Sequence, residues 1–499
     1  MLCVRTLRWS FNVFKKQRIP SKLWIQRNFV DPIKKKSSPN RQLTDELNPG
    51  LKLYQFQSKS CTGCGAPFQS SAMAEPGFVP MMAPKYIPTP EYIEKLKRQK
   101  EPLNPKELKI LIDDKKGRTP RIICQRCHFI RNGVSVTAPL KTNRMQFADL
   151  KTKTGGMVIA VIDLTNIPGT IITDLQDLVG QKDFIILLNK LDLMPDDFDI
   201  EAACKWIKKL PFAANALDVI PYSSESNFGL KPLKKYLSES FKKKENCYLV
   251  GYTSVGKSSI MNQMKTILGD NEFLTVSPKS GTTIGLIKIP GENLDLCLTE
   301  LENHDFNFKD YIAPIEEFSH HSKYSLIDTS GLVCNNHIAN IFTHREMKYV
   351  RFKSKIIPLD LTRKAKTAFW IGGFCRIEIT ECKEPMNFRL YLPSPLKTKI
   401  HTCSISKIKD LEKQIGYKIH LLSPPIRSSR LKTNPFPRLQ FVEKIIHSNE
   451  SPRTIYILGV GWITVTGPEG AIYRIFTPNG MKVDTIPQNF KKRKSVKDI

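Results

Sequence analysis

From about residue 157 onward the chain alternates short apolar runs with amphipathic stretches. Residues 157–164, Met-Val-Ile-Ala-Val-Ile-Asp-Leu, are nearly all apolar, which predicts a strand covered on both faces. Residues 184–188, 218–222, 247–250 and 324–327 repeat the pattern. Between them lie stretches of helical period. After Pro195, residues Ala202, Ala203, Trp206 and Ile207 share one side. Residues 230–241 form another such stretch. In residues 259–268, Ile260, Met261, Met264, Ile267 and Leu268 fall on one face. Strands alternating with helices predict an α/β fold with a parallel sheet, and ligand chemistry then belongs at the carboxyl ends of its strands.

Beyond residue 352 the pattern changes. Residues 368–371 and 454–458 read as strands, and a small C-terminal α+β domain is expected there. No acid–base pair or nucleophile constellation marks that region. Residues 292–317 form an acidic insertion that reads as a solvated loop. No apolar run approaches the ~18 residues that a membrane-spanning helix needs.

Polar signatures sit where the apolar runs end. Gly251-Tyr-Thr-Ser-Val-Gly-Lys-Ser258 lies between the run at 247–250 and the helix that follows, the setting a G-x-x-x-x-G-K-[ST] loop requires. Gly251, Ser254, Val255, Gly256 and Ser259 supply backbone N–H groups, and the helix start adds partial positive charge. Lys257 is expected to reach the β- and γ-phosphates and Ser258 to ligate Mg²⁺. Asn189-Lys190-Leu191-Asp192 follows the run at 184–188. Asp192 accepts from a paired N1–H and exocyclic amine, which guanine has and adenine lacks. Asn189 ties this loop to the phosphate loop, and Lys190 lays its stem along the base. Ser223 and Ser224 fit a short loop that meets guanine O6. Downstream, Ser280-Gly-Thr-Thr283 fits a first switch, with Thr283 on Mg²⁺, and Asp328-Thr-Ser-Gly331 fits a second. Asp328 then holds Mg²⁺ through water, and the Gly331 N–H touches the γ-phosphate. These signatures point to GTP. Leu332 stands where Ras-like proteins carry a water-orienting Gln, which predicts slow intrinsic hydrolysis completed by a partner.

Cysteine and charge extend this reading. Cys61-Thr-Gly-Cys64 and Cys124-Gln-Arg-Cys127 are two C-x-x-C knuckles that can present four thiolates to Zn²⁺; four free thiols or a redox pair are the other readings. The formal charge of +30 points to a polyanionic partner, most simply RNA. Residues 1–30 carry seven Lys and Arg and no Asp or Glu, interleaved with apolar residues. That composition is that of a mitochondrial transit peptide, with a basic nucleic-acid-binding arm as the alternative. The domains expected are a transit peptide (1–30), a linker (31–60), a zinc-binding domain (61–150), a GTPase domain (151–350), a C-terminal domain contacting RNA or the ribosome (351–480) and a basic tail (481–499). The tail reads equally as an RNA contact or as a solubilising segment.

Asn189–Asp192 precedes the phosphate loop, whereas ordinary GTPases carry it last. With this order, the double knuckle, Gly372-Gly373 and Gly459-Val-Gly-Trp462, the chain resembles the YqeH family of circularly permuted GTPases, and within it the fungal mitochondrial branch that includes the genetic interactor of prohibitins group. The resemblance spans roughly residues 60–470. It implies GTP and Mg²⁺ binding, a zinc-binding N-terminal domain, a mitochondrial matrix location and assembly of the small ribosomal subunit through its RNA or precursor, with an activating protein. The sequence departs from the family's phosphate loop at Ser254, where an Asn that can help hold K⁺ usually stands. Two other functions compete with this one: a switch for inner-membrane proteins without an RNA role, and a zinc- and RNA-binding protein that no longer hydrolyses nucleotide.

Overall fold

The computed structural model describes residues 60–73, 75–79, 98, 123–131, 150–152, 155–268, 274, 285–300, 322–334, 337–341, 347–413, 438–448, 453–486 and 490. The expected transit peptide, the linker up to residue 59, the first switch with Thr283, and the basic run after residue 490 lie outside them. So does most of the segment between the knuckles.

A six-stranded sheet carries the first half of the fold. Its strands are β1 (Met157–Asp163), β2 (Phe184–Asn189), β3 (Val219–Pro221), β4 (Cys247–Val250), β5 (Ile287–Pro290) and β6 (Ser325–Asp328), in spatial order β3-β2-β1-β4-β6-β5. All neighbours pair in parallel except β5, which runs antiparallel to β6. The strand period of two sorts the side chains. Met157, Ile159, Val161, Ile185 and Leu187 enter one core, while Val158, Ala160, Ile162, Ile186 and Leu188 enter the other. This two-sided burial is why the runs are apolar throughout.

Among the described residues, five helices longer than four residues accompany the sheet, and a sixth begins within the second knuckle. They are α1 (Gln125–Arg131, from the knuckle), α2 (Leu175–Val179), α3 (Ile200–Lys208), α4 (Leu230–Lys242), α5 (Lys257–Ile267) and α6 (Gly291–Glu300). Helices α4 and α5 cover the first core with Leu233, Leu237, Phe241, Ile260, Met261, Met264 and Ile267. The Asp199 carboxylate caps α3 by accepting from the Ala202 N–H at 2.9 Å. The expectation of a solvated loop from residue 292 fails at its start. Residues Gly291–Glu300 are helical, Leu294 is fully buried, and the Ser238 hydroxyl of α4 donates to Asp295 at 2.5 Å. The burial of Leu294 holds this stretch against the fold despite the acidic residues around it.

The C-terminal region contains two five-stranded antiparallel sheets. Its strands are β7 (Leu359–Arg363), β8 (Thr367–Ile371), β9 (Cys375–Glu381), β10 (Met386–Tyr391), β11 (Ile400–Ser404), β12 (Leu439–Ile446), β13 (Arg453–Ile457), β14 (Gly461–Thr466), β15 (Ile472–Pro478) and β16 (Asp484–Ile486). They pair in the orders β16-β13-β14-β10-β7 and β11-β8-β9-β15-β12. Phe369 of one sheet meets Phe388 of the other edge-on at 4.9 Å, and the two inner faces share one apolar core. Among the described residues of this region helix is confined to short pieces such as Ser394–Lys397 and Ile408–Glu412, and β structure predominates there over the expected α+β mixture. Strand β16 also lies within residues that read as basic tail.

Beside that core of its own, this region also completes the core under the first sheet. Tyr391, Tyr456, Trp462, Ile486 and Phe490 belong to the same apolar cluster as the β1 and β2 side chains. Tyr391 and Trp462 stack at 4.8 Å, and Phe490 meets Phe198 and Trp206 edge-on at 5.9 and 5.6 Å. The Phe490 carbonyl accepts from the Asp199 N–H at 2.8 Å. Each buried aromatic of this kind contributes on the order of 1.5–3 kcal/mol.

Candidate functional site

The carboxyl ends of β1, β2, β4 and β6 open into one cavity of about 600 Å³. The phosphate loop forms one wall. Residue 256 precedes α5, whose first residue is Lys257. The loop closes on the segment after β6: Thr253 N–H donates to the Leu332 carbonyl at 2.8 Å, and Leu332 N–H donates to Gly251 at 3.1 Å. Lys257 is buried, and its Nζ donates to the carbonyls of Gly251 (3.0 Å) and Tyr252 (2.9 Å). Burial pushes this ammonium down to about 8, against the opposing pull of Asp328. Ser258 Oγ donates to Asp328 Oδ2 at 2.9 Å, which sets a hydroxyl beside a fully buried carboxylate. That pair fits Mg²⁺ ligation, with Ser258 direct and Asp328 behind it. A Cβ added at Gly331 would lie 2.9 Å from Lys257 Nζ, so only a bare backbone reaches the ammonium here.

The loop after β2 forms the opposite wall. Asn189 is fully buried; its Nδ2 donates to the Val255 carbonyl at 2.9 Å, and its Oδ1 accepts from Ser224 N–H at 3.2 Å. One amide thus ties together three loops that are remote in sequence. Ser223 Oγ donates to Asp192 Oδ1 at 2.7 Å and accepts from the N–H groups of Glu225 and Ser226, each at 3.2 Å. Gln263 joins α5 to the same place: it accepts from Tyr222 OH at 2.5 Å and donates to the Ser226 carbonyl at 2.7 Å.

Of the residues singled out by sequence, Asn189, Lys190, Asp192, Ser224, Ser254, Gly256, Lys257, Ser258, Ser259 and Gly331 line the cavity. Gly251, Val255, Ser223 and Asp328 stand behind that lining and hold it. Sequence reasoning missed, as site residues, Asp163, Thr165, Asn166, His337, Met347, Gly459 and the stretch from Val350 to Lys353, which line it too. Asp163 carries a readable signal, since it ends β1 as Asn189 ends β2 and the two residues pair in register. His337 carries none, and Gly459 was read in Gly459-Val-Gly-Trp462 only as a mark of the family resemblance, not as part of the site.

Away from the cavity, Cys61, Cys64, Cys124 and Cys127 are buried together, and their sulfurs all lie within 4.8 Å of one another. Cys61 and Cys127 sulfurs are 3.8 Å apart, and Cys64 and Cys124 sulfurs 3.7 Å. A tetrahedron with Zn–S bonds near 2.3 Å has an edge of about 3.8 Å. The four thiols therefore fit Zn²⁺ as they stand. Cys124 N–H donates to the Cys61 sulfur at 3.3 Å, which favours the thiolate form of Cys61. His128 is exposed beside the cluster.

Comparison with known proteins agrees with this geometry. Residues 246–366 match the family described as 50S ribosome-binding GTPase. The chain is similar to YqeH of Bacillus subtilis, 25% identical over 371 residues that cover 72% of this chain and 89% of that protein. It is similar to NO-associated protein 1, chloroplastic/mitochondrial, of Arabidopsis thaliana, 24% identical over 450 residues, 83% of this chain and 71% of the relative. Nitric oxide-associated protein 1 of Homo sapiens is 22% identical over 549 residues, 86% of this chain and 74% of the relative. Fold, site and family match together define a P-loop GTPase domain. More narrowly, these relatives support a GTPase of the YqeH and nitric oxide-associated protein 1 type.

Proposed function

We propose that the chain is a GTP-binding, slowly hydrolysing mitochondrial factor that acts on a ribosomal precursor, with nucleotide state relayed to the C-terminal β region. One observation carries this reading. The cavity that joins the phosphate loop to Asn189–Asp192 is also lined by Gly459, from the turn between β13 and β14. A nucleotide there touches both halves of the molecule. The order of motifs is that of a circular permutation, and the sheet supports this, since β1–β3 precede the phosphate-loop strand in sequence yet lie in the same sheet, with β1 paired directly to it. Lys257 and the Ser258–Asp328 pair hold the phosphates and Mg²⁺, Asp192 reads guanine, and the four cysteines hold Zn²⁺. Leu332 supports slow turnover, because its side chain is packed in the apolar core.

The net charge of +30 supports an RNA partner. The relative named chloroplastic/mitochondrial supports an organelle, and the acid-free first thirty residues favour the mitochondrial matrix. The family resemblance favours the small ribosomal subunit, whereas the matched family's description names the 50S particle. Co-sedimentation tests both. Full-length protein should travel with the small mitochondrial subunit or its precursor in GTP and leave it in GDP or high salt. Binding to the large subunit alone would redirect the proposal, and binding to neither would overturn it.

A further inference from the structure

Lys190 does not point freely into the cavity. Its Nζ donates to Asp163 Oδ2 at 2.5 Å, and its backbone is left-handed, with φ of 69°. Asp163 is buried, and its carboxylate is held from all sides. Oδ1 accepts from Thr165 N–H at 2.9 Å and Thr165 Oγ1 at 2.6 Å, while Oδ2 also accepts from Asn166 Nδ2 at 2.8 Å. Asn166 in turn is fixed from the other side, because its Oδ1 accepts from the backbone N–H of Gly459 at 2.7 Å. Gly459 has φ of 84°, and a Cβ there would lie 2.5 Å from the His337 ring, so this turn admits no side chain. Two residues after Asn166's neighbour Ile167, a Cβ at Gly169 would run into Leu458. The loop after β1 is thus clasped by the β13–β14 turn.

We propose that Asn166 is a positioning residue of the guanine site. It orients Asp163, Asp163 orients Lys190 along the base, and the C-terminal sheet holds Asn166 in place through Gly459. The inference deepens the GTP-binding reading and rests on it. A buried carboxylate with four donors is rigid, so the Lys190 stem is pre-set before the base arrives. Removing the Asn166 amide leaves Asp163 one donor short and frees the Gly459 N–H.

The test is a double-mutant cycle on the full chain, read by fluorescence of a methylanthraniloyl-labelled GDP and by thermal unfolding without nucleotide. Asn166→Ala should weaken GDP binding roughly tenfold, the weight of one hydrogen bond to a charged group. Lys190→Ala should weaken it at least as much. The double variant should bind within about twofold of Lys190→Ala, because both changes act through one side chain. Asp163→Asn, which keeps the shape of the loop, should show the same lack of additivity and stands in if Asn166→Ala unfolds. Losses that multiply in the double variant, or an Asn166→Ala protein that binds as the wild type does, would overturn the proposal. A wild type that fails to bind labelled GDP would instead overturn the GTP-binding reading beneath it.

Discussion

The backbone N–H of Gly285 donates to the carbonyl of Cys64 at 3.0 Å, which ties the four-cysteine knuckle to the entry of β5. The contact is backbone on backbone: a Cβ on Gly65 would stand 2.9 Å from the Gly285 carbonyl carbon, and a Cβ on Gly285 only 2.6 Å from that of Gly65. Gly285→Ala should therefore cost about 1–3 kcal/mol through overpacking. The expected readout is faster reaction of the four knuckle thiols with a thiol reagent in the presence of a chelator. Unchanged thiol protection would show that the knuckle holds without this contact.

Lys257 gives the nucleotide site a pH dependence of its own. Its folded value of about 8 lies below its ordinary 10.5. Between these values the unfolded chain holds the proton and the folded one does not, so nucleotide-free protein gains stability as pH rises through that window. GTP prefers the charged amine, so affinity should fall over the same range. Lys257→Ala should bind nucleotide poorly and lose both trends, measured by binding and thermal unfolding from pH 7 to 10.

His337 acts in the opposite range. Burial pushes its imidazole from 6.5 down to about 4, with Asp163 pulling up and Lys190 pushing down. The neutral form is the folded one. Its contribution is fully present above pH 6.5 and is lost as pH falls towards 4, up to about 3 kcal/mol in all. His337→Gln should flatten the stability profile between pH 6.5 and 4. A slope equal to the wild type's would assign the acid sensitivity to other groups.

Leu332 invites an obvious repair, replacement by the glutamine of faster GTPases. The structure argues against success. The side chain is 6% exposed and packed in the apolar core, while its N–H and carbonyl are both bonded to the phosphate loop. Leu332→Gln should bury an amide and destabilise by roughly 1–3 kcal/mol. Single-turnover hydrolysis should not accelerate.

How much of this was readable from sequence depends on the range of each contact. Gly251–Ser258 and Asn189–Asp192 were legible as cavity walls because each is a run of consecutive residues at a strand end. The strands at 157–163, 184–189 and 247–250 were legible because burial on both faces leaves an unbroken apolar run. The Asn166–Gly459 bond was not, since its partners are 293 residues apart, and Gly459-Val-Gly-Trp462 marks the family resemblance without pointing to a partner for it. Helix α6 was missed for a different reason: its acidic residues read as the start of a solvated insertion, although Leu294 among them is buried.

Phe490 is 6% exposed between Phe198 and Trp206, and its carbonyl caps the N–H of Asp199. Phe490→Ala should cost about 3–4 kcal/mol, in the range for deleting a buried aromatic ring. Because Asp199 caps α3 just beyond Asn189–Asp192, weaker GDP binding should accompany the lower melting temperature. Loss of stability with full affinity would separate the aromatic plug from the base-reading loop.

The shared core also sets a timetable for synthesis. A nascent chain that has released its phosphate loop and both flanking loops still lacks Tyr456, Trp462 and Phe490, which complete the apolar cluster beneath β1 and β2. Gly459, which holds Asn166, arrives with them. The cavity is therefore finished only after residues 456–490 have been made. A chain that stops short of Gly459 still carries the phosphate loop and Asn189–Asp192 but lacks one wall of the cavity, so truncation there should leave an unfinished pocket instead of a half-length switch.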